Sequence, residues 1–189
     1  MKTNLFTVLF LSFWLFGCNT EKPTPLQVVK DYYSAFDTSD FSSIATLVDD
    51  TLTIIDGPYS TTYTHASFHE QFRWDSIFQP TYEVLEIASV ADQVIATVAS
   101  SSLRYEFLKN NPLITVYKIS FYHKKISKIE AVDYVDADWT TWQKEVDSLV
   151  QWISIHHPEL DGFIHDLSMN GATNYLKAIE LYKRSHQNL

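Results

Sequence analysis

Apolar residues in this chain recur first at every third or fourth position, then at every second, then again at helical spacing. Val28, Val29, Tyr32 and Phe36 follow Thr24-Pro25, an N-cap with a first-turn proline, and predict a helix over Pro25–Asp37. Asp40 can cap a second, short helix that carries Phe41, Ile44, Leu47 and Val48 inward and stops at Asp49-Asp50. Residues 51–55 are rich in β-branched side chains and read as a strand, closed by the turn signal Asp56-Gly57-Pro58. A hydroxyl-rich loop is expected over residues 60–64. Beyond it Phe68, Phe72 and either Ile77 or Phe78 mark a third helix that must end before Pro80.

Residues 82–89, 93–108, 113–123 and 126–135 then alternate as four strands. The connections through Ala91-Asp92, Asn110-Asn111-Pro112 and Lys124-Lys125 are short enough only for antiparallel neighbours, which predicts a meander. In the third of these runs Leu113, Thr115, Tyr117, Ile119 and Phe121 alternate with Ile114, Val116, Lys118 and Ser120, so both faces are partly apolar. One face is expected to meet helices and the other a cover or a partner. From Trp139 the helical period returns with Trp142, Val146, Leu149, Val150 and Ile153, ending at His156-His157-Pro158. A last helix over residues 172–184 presents Tyr175, Leu176, Ile179 and Tyr182. No internal repeat is evident.

Composition narrows the function classes. The 189 residues are 46% hydrophobic and 20% charged, enough for one core without metal or disulfide staples. Four glycines cannot supply a glycine-rich phosphate cradle at any spacing, and the formal charge of −9 repels nucleic acid. Lys2 followed by an apolar run from Leu5 to Phe16 reads as a secretory signal, too short to span a membrane of about 30 Å. Leu15-Phe16-Gly17-Cys18 closes that run and resembles the bacterial lipobox. The resemblance implies cleavage before Cys18, diacylglycerol on its thiol and palmitate-type acyl chains that hold the protein to the cell envelope. Asn19 does not look like the aspartate that retains many such proteins at the inner membrane, so the outer membrane is the expected address. The segments expected are a signal peptide at 1–17, a tether at 18–23, a folded unit at 24–138 and a C-terminal helical extension at 139–189. Cys18 is the sole cysteine, so no disulfide, cysteine-ligated metal or cysteine nucleophile is expected in the folded part.

Helix, short helix, strand, helix and four meandering strands, in that order, resemble the nuclear transport factor 2-like and SnoaL-like α+β cone. The resemblance is carried by residues 28–33 in the first helix, Asp40, residues 47–50, and Thr53-Ile54-Ile55-Asp56-Gly57-Pro58. It is carried also by the closing strand with Tyr134 and Asp136. It implies an α+β fold in which a curved antiparallel sheet wraps the N-terminal helices and leaves a tapered cavity. That scaffold hosts isomerases, dehydratases and cyclases as well as proteins without chemistry. Asp56 falls where the ketosteroid isomerases carry a general base, and Tyr32 where they carry an oxyanion donor. Their second donor, a carboxylic acid, aligns near Tyr117 or Lys118 here.

The residues expected at the pocket are Tyr32, Asp56, Tyr63, His65, His69, Trp74, Tyr117 and Asp133. Asp56 can equally form an Asx-turn onto Gly57-Pro58, and Tyr32 can simply pack. His65 and His69 share a helix face at i, i+4, but no third ligand is evident, so no metal is expected. Asp133 interrupts the apolar set Ile129, Ala131 and Val135, as a polar patch in the cavity or as an exposed strand end. Arg104 and Glu106 share a strand face with Val98. Tyr63, Trp74, Tyr82, Tyr105, Tyr117 and Tyr122 suit an aromatic-lined pocket for a flat apolar ligand, or aromatic core filling. No nucleophile-elbow motif is present. Three functions follow: a lipid-anchored binder of a small apolar or amphipathic molecule, needing no cofactor; an isomerase, dehydratase or cyclase acting by proton abstraction; and an assembly subunit that forms a homodimer or partner contact through the outer sheet face.

Overall fold

The computed structural model describes residues 23–186, so the expected signal peptide, Cys18 and most of the expected tether lie outside the described residues. Helix α1 (Pro25–Asp37) opens on Thr24, whose hydroxyl accepts the Gln27 N–H at 3.2 Å. Helix α2 (Phe41–Leu47) opens on Asp40, whose carboxylate accepts the Ser43 N–H at 3.1 Å. Strand β1 (Val48–Asp56) follows with no intervening loop, so Asp49 and Asp50, expected at a helix end, are strand residues. Gly57, at φ +55°, then turns the chain directly into β2 (Tyr59–Thr64), with Asp56 opposite Tyr59. Residues 60–64 are therefore a strand rather than a loop. Alternating tyrosine with threonine suits a pleated edge, although nothing in the pattern is apolar enough to announce it.

Thr64 and Ser67 form a reciprocal capping box that starts α3 (His65–Ser76). The meander follows as β3 (Thr81–Val90), β4 (Gln93–Ser101), β5 (Leu113–Tyr122) and β6 (Lys125–Val135). The expected long strand over 93–108 breaks at Ser102, which accepts the Tyr105 N–H at 3.1 Å and caps the short helix α4 (Leu103–Phe107). Arg104 and Glu106 thus leave the face of Val98. Helix α5 (Trp139–His156), two short 3-10 turns and α6 (Met169–His186) complete the chain.

The sheet runs β2-β1-β6-β5-β4-β3. Every pair is antiparallel except β1 with β6, so the curved, unclosed sheet of this α+β cone is mixed rather than wholly antiparallel. That single parallel pair arises because α3 carries the chain across to β3 at the far edge, and the meander returns until β6 lies along β1.

Two cores result. The first lies between the inner sheet face and α1 to α3 and includes Val29, Ile44, Leu52, Val94, Val98 and Ile119. The second lies among α4, α5, α6 and the far flank of α3, and includes Phe78, Leu108, Leu149, Ile153, Ala178 and Ile179. Helix α3 feeds both: Phe68 and Phe72 enter the first core, and Trp74 enters the second. Among the described residues, no helix is long and apolar enough to cross a membrane.

Candidate functional site

The sheet-facing side of α1 carries Tyr32, Tyr33 and Phe36 in one cluster of rings. Tyr33 lies 5.8 Å from Tyr82 of β3 and 6.4 Å from Tyr117 of β5, and Phe36 lies 5.3 Å from both Phe72 and Tyr82, measured between ring centroids. These rings wall a half-open cavity of about 250 Å³, completed by Tyr63, Ser100, Tyr105, Ile54 and Ile129 from the surrounding strands and α4.

Helix α3 supplies the remaining wall through Phe68, Gln71, Phe72 and Asp75, a spacing of i, i+3, i+4, i+7 that places all four on one face. Asp75 is the chemically distinctive member. Burial pushes its carboxyl above the ordinary carboxylate range, while the charge of Arg104 and a hydrogen bond from Gln71 Nε2 to Oδ2, at 3.4 Å, pull the other way. Its negative charge is felt by Tyr32, Tyr63, Tyr82 and Tyr117, whose hydroxyls are all shifted upward, chiefly by burial. Asp75 therefore sits at the focus of the tyrosine cluster.

The hydroxyls divide into two groups. Tyr117 is bonded to Thr115 and Tyr63 to Thr61, whereas those of Tyr32, Tyr33 and Tyr82 have no protein hydrogen-bond partner among the described residues. No fully buried side-chain polar atom lacks a partner among these residues, so the three free hydroxyls reach the cavity space.

Of the residues expected at the pocket, Tyr32, Tyr63 and Tyr117 line the cavity. Asp56 stands at the exposed end of β1, where its carboxylate accepts the Tyr134 hydroxyl at 2.5 Å. It is close enough to Tyr117 to raise that phenol, but it is not part of the wall. His65, the first residue of α3, turns back to donate from Nε2 to the Asp49 carbonyl at 2.8 Å. His69 stacks on Phe41 at 4.2 Å. Trp74 faces the second core and donates to the Asp166 carbonyl at 3.4 Å. Asp133 lies on the outer sheet face opposite Val116, because an extra residue, Val132, bulges β6 and reverses its alternation beyond Ala131. The same bulge turns Tyr134 inward, opposite Thr115. Among the described residues no group of three or more metal-binding side chains converges.

Sequence reasoning missed Asp75, Gln71 and Ser100. A signal for the first two existed, since both fall in register with Phe68 and Phe72 on a stripe expected to be wholly apolar. Arg104, beside this wall, stacks within 5.1 Å of the Trp74 ring, 5.2 Å of Tyr105 and 5.5 Å of Phe78.

No protein-family profile matches the chain, and no curated protein matches it by sequence. Solved structures do. An NTF2-like protein of unknown function from Cytophaga hutchinsonii aligns at a TM-score of 0.50 and 9% identity, over 61% of this chain and 93% of that one. A protein from Kribbella flavida aligns at 0.50 and 11% identity, over 65% and 93%. A candidate polyketide cyclase, IdmH of Streptomyces antibioticus, aligns at 0.49 and 14%, over 66% and 99%. With the helix order, the curled six-stranded sheet and the cavity beneath α1 already in place, the chain has the nuclear transport factor 2-like α+β cone fold.

Proposed function

We propose that this protein is a lipid-anchored envelope protein whose cone takes up a flat, amphipathic small molecule without transforming it. The observation that carries the reading is the cavity itself. Its aromatic walls offer dispersion and hydrophobic burial, while three tyrosine hydroxyls and the Asp75 carboxyl face the space without protein groups to saturate them. Asp56, held by Tyr134 at an exposed strand end, lacks the dry surroundings that a general base for carbon acids needs, which favours binding over chemistry.

The cavity is tested with prodan, a neutral naphthalene dye whose emission shifts to the blue in apolar surroundings. Saturable, blue-shifted binding to the full chain is expected, with loss of binding in Ser100→Leu, which places a branched side chain in the wall where a buried serine stands. Absence of saturable binding to the parent protein would sink the cavity reading.

The anchor rests on the Leu15-Phe16-Gly17-Cys18 box at the end of an apolar run too short to span. The address proposed is the bacterial outer membrane. Cys18→Ala should move the protein from the detergent phase to the aqueous phase, and the parent should yield an N-terminal peptide that begins at an acylated Cys18. An intact bond between residues 17 and 18 in membrane-bound protein would refute the anchor.

A further inference from the structure

Among the described residues that line the cavity, Asp75 is the one formally charged group. Its Oδ2 meets Gln71 at 3.4 Å, and its Oδ1 has no hydrogen-bond partner among the described residues. Around it stand phenol rings from four separate elements: Tyr32 of α1, Tyr82 of β3, Tyr105 of α4 and Tyr117 of β5. A carboxylate surrounded by electron-rich rings and free hydroxyl oxygens is a set of acceptors with no cation among the residues that line the cavity. An ammonium group can donate to all of them and lie against the rings as well.

Arg104 tempers this field without filling it. Its guanidinium is spread over Trp74, Tyr105 and Phe78, and among the described residues no ion pair joins it to Asp75. Negative charge is disfavoured in the same space. Burial and the charge of Asp75 both hold the phenols of Tyr32, Tyr82 and Tyr117 in their neutral form, so a carboxylate or enolate would meet the same opposition.

We propose that the ligand of this cavity is an organic cation, a protonated amine carried on a flat apolar ring, with its charge beside Asp75 and its ring among Tyr33, Phe36 and Tyr82. The inference rests on the cavity reading above and names the class of molecule that the cavity selects. It also assigns Asp75 as the residue that sets that class. The groups that bear on its titration are Arg104 and the tyrosines at 32, 63, 82 and 117.

The experiment compares three probes on one skeleton, 2-naphthylmethylamine, 2-naphthalenemethanol and 2-naphthoate, by calorimetric titration of the full chain at about pH 7, where the amine is cationic. The amine should bind roughly 10-fold or more tighter than the alcohol, and the carboxylate most weakly. Asp75→Asn, which keeps the side-chain volume, should erase the preference for the amine over the alcohol. Lowering the pH through the raised range of Asp75 should do the same, because protonation removes the charge that the amine meets. Equal or tighter binding of the alcohol or the carboxylate overturns the cation while leaving the cavity reading intact. So does an amine preference that survives Asp75→Asn, which would assign it to the general acidity of the surface. The three-probe comparison on the parent protein stands even if the variant fails to fold. Failure of these three probes where prodan still binds also overturns the cation, whereas failure of all four removes the cavity reading itself.

Discussion

Helix α3 has a core on each flank, and one is sealed where the other encloses a cavity. On the α5–α6 flank, Leu149, Ile153, Ala172, Ala178 and Ile179 are fully sealed or nearly so, and Trp74 hands its one polar atom to the Asp166 carbonyl. On the sheet flank the wall is built of tyrosines, several of which keep a free hydroxyl and leave a void between them. Both regions bury apolar surface and both contribute hydrophobic stabilisation. The difference lies in closure: on the α5–α6 flank small and branched residues such as Ala172, Ala178, Leu149 and Ile179 fill the space between the rings, whereas the rings that converge from α1 and the curved sheet leave a cavity among them. One flank spends its side chains on cohesion and the other keeps a site.

The largest effect that separates the flanks is expected from Phe78, which is 1% exposed and packs its ring against Trp74 and Tyr175. Phe78→Ala should lower stability by about 3–5 kcal/mol in denaturant unfolding, since a sealed core cannot collapse into the gap. A shift below about 1 kcal/mol would mean that the second core is as loose as the first. Next comes Gly171, where a Cβ would stand 1.9 Å from the Asp166 carbonyl oxygen, a backbone atom that cannot swing aside. Gly171→Ala should cost about 1–3 kcal/mol and weaken the Trp74 hydrogen bond, visible as a change in indole fluorescence. The smallest effect belongs to the cavity. Tyr33→Phe removes a hydroxyl without a protein partner and should change the unfolding free energy by less than about 0.5 kcal/mol, against the roughly 0.5–1.5 kcal/mol of a made hydrogen bond. A loss of the full hydrogen-bond value would erase the contrast between the flanks.

Legibility in the sequence follows the same division. Helices α1 and α5 were readable almost to the residue, because Thr24-Pro25 fixes one start and the Trp139-to-Ile153 stripe has a single period. Strand β2 was hidden because its alternation is tyrosine against threonine and serine, without an apolar face to mark it. Helix α4 was hidden by the serine run at 100–102, which reads as strand until Ser102 caps a turn. At the site, aromatic residues point to the region, and pattern and resemblance together single out Tyr32, Tyr63 and Tyr117. Asp75 was passed over because a single carboxylate in an amphipathic stripe looks like a helix edge, and only the packing of two cores against one helix shows that it points into enclosed space. Asp133 is the reverse case. Alternation places it inward, and one bulged residue, Val132, turns it out.

The sharing of α3 also bears on how this chain can be divided. A cut after residue 138 looks like a natural place to separate the cone from its helical extension. Such a fragment would uncover Trp74, Phe78, Phe107 and Leu108 together, a sticky aromatic patch on the back of the helix that holds Asp75. Transplanting the extension alone would strand the matching surface on α5 and α6. In this chain the cone and its helical layer therefore stand as one packed unit, and insertions compatible with the architecture belong at the outward tips of the sheet, such as the Lys124 turn, rather than along the seam.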